Sequence, residues 1–124
     1  MSLKEEILIN RYLLIRSYLY LSSGSQREQA QRLTETAIRL GYVENRSPIS
    51  GQTSRKWVKE KNPPAWACKA ASAILLANQY KPSSEIEKLV WAYYLRETGY
   101  LKKMTSEQFE MVEEILPWIE NISI

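Results

Sequence analysis

Residues 50–76, SGQTSRKWVKEKNPPAWACKAASAILL, run from a basic segment through a proline turn into an alanine-rich apolar segment. Gln52 to Lys61 reads as a short helix. Trp57 faces one way along it, and Gln52, Arg55, Lys56 and Lys59 share the other side, since residues three and four apart lie on one helical face. Asn62-Pro63-Pro64 stops that helix, because proline cannot donate to a preceding turn but suits a first helical position. Ala65 to Gln79 reads as the next helix, with Trp66, Ala70, Ala73, Ile74 and Ala77 as a close-packing face. Both tryptophans are expected in the core.

Outward from this stretch the pattern stays helical. Leu3 to Leu21 predicts one long helix, apolar on more than a single stripe and therefore central or shared with a second subunit. Ser25 with Glu28 forms a capping-box signature that starts a helix to Leu40, with Ala30, Leu33, Ala37 and Leu40 inward and Gly41 as its C-terminal cap. Val43 to Gly51 reads as a loop, since Pro48 disfavours helix at Ser47. Ser84 with Glu87 starts a helix ending at Thr98–Gly99, and Thr105 with Gln108 starts another, with Phe109, Val112, Ile115 and Leu116 inward and a break near Pro117. No strand alternation or repeat appears. The expectation is an all-α fold, a compact bundle of five to six helices in a single domain over 1–124. Residues 26–78 form its core unit, and 3–21 and 83–120 are packing or dimerisation helices.

Composition narrows the function. The chain has 124 residues, no histidine and one cysteine, Cys68. Without histidine the Ser-His-Asp and Cys-His arrangements are excluded, and nothing has metal-ligand spacing or a glycine-rich phosphate loop. Glu110, Glu113 and Glu114 read as a solvated face. The expectation is therefore no enzyme, no cofactor and no small-molecule substrate. Cys68, among small apolar neighbours, reads as a buried thiol in a reducing, cytoplasmic protein. Arg11 and Arg16 interrupt the apolar run from Ile7 to Leu21, so no membrane segment is expected.

Charge is uneven. Residues 26–80 carry nine basic and four acidic groups, whereas 81–124 carry five basic and eight acidic ones. The excess thus falls where the basic helix lies, as a nucleic-acid surface requires. One aromatic anchor inward with several hydrogen-bond donors outward is also how a DNA-reading helix is built.

The segment 26–78 resembles the helix-turn-helix of phage Cro and repressor-type proteins. Ala37 and Gly41 match the small residue and glycine that end the first motif helix. Ser54-Arg55-Lys56-Trp57 matches the recognition helix, and Asn62-Pro63-Pro64-Ala65-Trp66-Ala67 matches the turn and apolar helix after it. One departure is the stretch Tyr42 to Gly51, which is longer than the family's turn. The resemblance implies a sequence-specific transcriptional regulator of phage or mobile-element type, binding double-stranded DNA as a homodimer. By that likeness Gln52 reads a base edge, Arg55 or Lys56 addresses guanine or phosphate, Ser50, Thr53 and Lys59 contact phosphates, and Arg46 reaches the backbone from the loop. The competing expectation is a helical protein-interaction module, an adaptor or inhibitor using the excess of tyrosine and tryptophan.

Overall fold

The computed structural model of the protein describes residues 1–122. Among them, regular structure is entirely helical: α1 Leu3–Ile9, α2 Tyr12–Leu21, α3 Gln26–Arg39, α4 Gly51–Glu60, α5 Ala65–Ala77, α6 Glu85–Thr98, α7 Ser106–Val112 and α8 Leu116–Glu120, with a 3-10 turn at Leu101–Lys103. The all-α expectation holds. The helix number is larger because two expected helices are broken.

The first break falls at Asn10 and Arg11. Their backbone N–H groups reach back three residues, to the Ile7 and Leu8 carbonyls, instead of four. The Asn10 amide donates to the Glu6 carbonyl at 2.8 Å and the Arg11 guanidinium to Leu8 at 2.6 Å. Side chains thereby take acceptors at the end of the α1 ladder, and the helix kinks. Arg11 Nε also donates to the Pro63 carbonyl at 2.7 Å, which pins the turn between α4 and α5 to the α1–α2 elbow. At the other end α7 stops at Val112, and α8 takes Pro117 into its first turn, where a missing N–H costs no bond. Val112 and Ile115 are buried as expected, but Phe109 is exposed.

The caps read from the sequence are in place. Ser25–Glu28 and Thr105–Gln108 form reciprocal capping boxes. Gly41, at φ +80°, closes α3 with Tyr42 N–H on the Ala37 carbonyl and its own N–H on Ile38, the paired bonds of a left-handed helix terminus. Ser84 caps α6, but Glu87 turns inward instead of completing a box, and its carboxylate accepts from Ser17 Oγ.

α5 lies at the centre, against α2, α3 and α6. Ala67, Cys68, Ala70, Ala71, Ser72 and Leu75 are buried, whereas Trp66, Ala73 and Ile74 are half-buried and Ala77 is exposed. The expected close-packing face is thus displaced. A helix with neighbours on three sides buries most of its circumference, and an alanine-rich sequence shows no stripe that marks one side. Trp91, Tyr93 and Tyr94 are buried in α6. Among the described residues no helix is long and apolar enough to cross a membrane.

Candidate nucleic-acid interface

α4 rests on α2 and α3 and presents its outer side to solvent. Ser50 caps it, with Oγ accepting from Thr53 N–H at 3.1 Å and lying 2.9 Å from Thr53 Oγ1. Ser54 is buried and Trp57 and Val58 are half-buried on the inner side, while Gln52, Arg55, Lys56 and Lys59 are all exposed. These four stand at i, i+3, i+4 and i+7, so they form one continuous strip. Among the described residues none of them enters an ion pair. The ion pairs Lys81–Glu107 and Lys88–Glu85 lie elsewhere, and the acidic helices α7 and α8 pack on α6.

The long connection from α3 to α4 is tied down where it matters. Ile49 is buried, and its backbone N–H donates to Thr34 Oγ1 at 3.2 Å, which in turn donates to the Ala30 carbonyl. Next along the chain, Gly51 lies so close to Gln26 that a Cβ placed on it would sit 2.8 Å from Gln26 Cβ and 3.1 Å from its carbonyl carbon. The start of α4 is therefore locked to the first turn of α3 by contact, independently of the residues between Gly41 and Pro48. A short turn is the usual way to fix such a helix pair; here side-chain anchoring does it.

The remaining named residues divide. Trp57 and Trp66 meet edge to face, with centroids 5.7 Å apart, and brace α4 against α5. Arg46 lies over the Trp66 ring at 5.4 Å, and its Nε donates to the Ser47 carbonyl, so the loop arginine is drawn onto the aromatic brace. Ser50 and Thr53 are engaged in the cap, which leaves Gln52, Arg55, Lys56 and Lys59 as the free strip. Two residues escaped the sequence reading. Arg27 and Gln31 line a groove of about 520 Å³ beside Pro48–Gly51. Their i, i+4 spacing was the available signal, but only the α3–α4 contact places them beside Ser50.

Cys68 is buried, 3.8 Å from the Arg11 carbonyl, and burial pushes its thiol up to about 12. That is the behaviour of a packed thiol, not of a nucleophile. No protein-family model, curated protein or solved structure matches this chain.

Proposed function

We propose that the protein is a sequence-specific DNA-binding regulator that inserts the outer side of α4 into the major groove. The observation that carries this reading is the strip Gln52, Arg55, Lys56 and Lys59: exposed, on one helical face, and outside every ion pair described. Gln52 is suited to paired amide bonds with adenine, Arg55 or Lys56 to guanine or phosphate, and Lys59 to the backbone. Arg27 lies beside the start of α4 and supplies a further cation for phosphate. A homodimer would set two α4 helices about 34 Å apart, on successive major-groove turns.

The test is fluorescence anisotropy against a genomic fragment library at several salt concentrations. Selective binding is expected, with log K falling as log salt rises, and Arg55→Ala/Lys56→Ala should flatten that slope by about two contacts' worth. Binding by the double variant equal to the parent at every salt would remove the reading.

A further inference from the structure

α2, the α5–α6 connection and the start of α6 line a cleft of about 600 Å³. Its wall includes Glu87, whose residue is only 4% exposed. The carboxylate accepts from Ser17 Oγ, and Ser17 Oγ lies 3.2 Å from Tyr80 Oη. No described cation forms an ion pair with Glu87. A buried carboxylate ordinarily has a cationic partner, because hydroxyl hydrogen bonds offset only part of the cost of taking a charge out of water. Glu87 is also one of the residues that line the cleft.

The rim carries the complementary charge. Arg16, exposed and next to Ser17 on α2, lines the same cleft and makes no ion pair among the described residues. Lys81 lines it too, but is held by Glu107. Tyr20 and Leu21, both well exposed, supply an apolar margin. We infer that the cleft binds a small zwitterion of the α-amino-acid type with an apolar or aromatic side chain. Its ammonium meets Glu87 beside Ser17 and Tyr80, its carboxylate meets Arg16, and its side chain lies against Tyr20. A simple cation would be repelled by the rim, and a simple anion by Glu87. Polar and charged side chains dominate the cleft's lining, with Tyr20, Leu21 and Tyr80 as the apolar and aromatic part, so a ligand that is itself both charged and apolar suits it. It stands independently of the DNA reading, since no α4 residue lines the cleft.

The test is a ¹H–¹⁵N NMR titration with three probes sharing one ring: L-phenylalanine, phenethylamine and 3-phenylpropionate, each taken to about 10 mM, above the ~1 mM affinity expected of so small a ligand. L-Phenylalanine should shift amides around residues 16–21 and 78–87. Phenethylamine should bind several-fold more weakly and 3-phenylpropionate not at all. Glu87→Gln, close to isosteric, should abolish the L-phenylalanine shifts while leaving the rest of the spectrum folded. Arg16→Ala should weaken L-phenylalanine several-fold and leave phenethylamine unchanged or tighter. Absence of shifts with L-phenylalanine, equal binding of 3-phenylpropionate, or shifts that survive in a folded Glu87→Gln would each overturn the assignment. If Glu87→Gln does not fold, the Arg16→Ala comparison decides: equal loss for L-phenylalanine and phenethylamine would refute the orientation.

Discussion

Gly51 at the start of α4 and Gln26 at the start of α3 touch so closely that there is no room for a side chain between them. This contact, with the buried Ile49–Thr34 bond about two turns further along α3, holds α4 at a fixed angle although eleven residues separate the two helices.

Gly51→Ala should therefore be costly out of proportion to its size. The added methyl meets Gln26 backbone, which cannot swing away as a side-chain tip would, so α3 and α4 must separate. A loss of about 1–3 kcal/mol is expected in urea unfolding, with DNA affinity reduced beyond what the stability loss explains. A neutral substitution would show that the contact does not set the angle.

The exposed part of the connection should matter little. Replacing Glu44–Ser47 by two glycines removes the Arg46–Trp66 contact, worth roughly 0.5–1 kcal/mol, and leaves Ile49 in place. Ile49→Ala, by contrast, should cost about 2–5 kcal/mol. The comparison is made on thermal or urea midpoints. Equal costs would mean that loop length, not the Ile49 anchor, presents α4.

Gln79 sits in the left-handed region at φ +58°, where its N–H on Leu76 and that of Tyr80 on Leu75 close α5. Glycine adopts this conformation without a Cβ penalty. Gln79→Gly should gain about 1 kcal/mol, raising Tm by roughly 4 °C. Lys61, at the same φ, should gain less, because its ammonium lies 5.3 Å from the Tyr12 ring centroid and would be lost.

Stability should be flat near neutrality and fall in alkali. Burial pushes the Cys68 thiol and the Tyr42 and Tyr93 phenols up to about 12; a neighbouring Tyr100 adds to the effect at Tyr42 and Glu97 at Tyr93. Each raised acid is protonated in the native state when its unfolded counterpart has already lost its proton. Their contribution is thus intact below the unfolded values, about 9–10, and lost as pH rises through about 12. Urea midpoints measured from pH 7 to 11 should hold and then decline above about pH 9. A midpoint unchanged at pH 11 would contradict the burial of these groups.

Within the proposed DNA reading, Gln52→Ala and Lys59→Ala should differ in kind. The first should relax selectivity at one base position at a cost of about 1–3 kcal/mol, the second weaken all sequences alike and shallow the salt slope by about one. Selection on randomised operators separates them. Identical selectivity profiles for both would place base reading elsewhere.

The sequence by itself determined the helical class, the caps at Ser25, Gly41, Ser84 and Thr105, and the two-faced character of α4. These follow from contacts within a turn or two, which local spacing encodes. The Asn10–Arg11 break was hidden because Arg11 is stabilised there by Pro63, 52 residues away. The all-round burial of α5 was hidden because alanine fits any close-packed face and marks none. Only tertiary structure decided how α4 is held, through a glycine chosen for what lies across from it, and that Glu87 turns from its cap into a cleft shared with Ser17 and Tyr80. Such long-range pairings depend on which surfaces meet, and no periodicity along the chain records them.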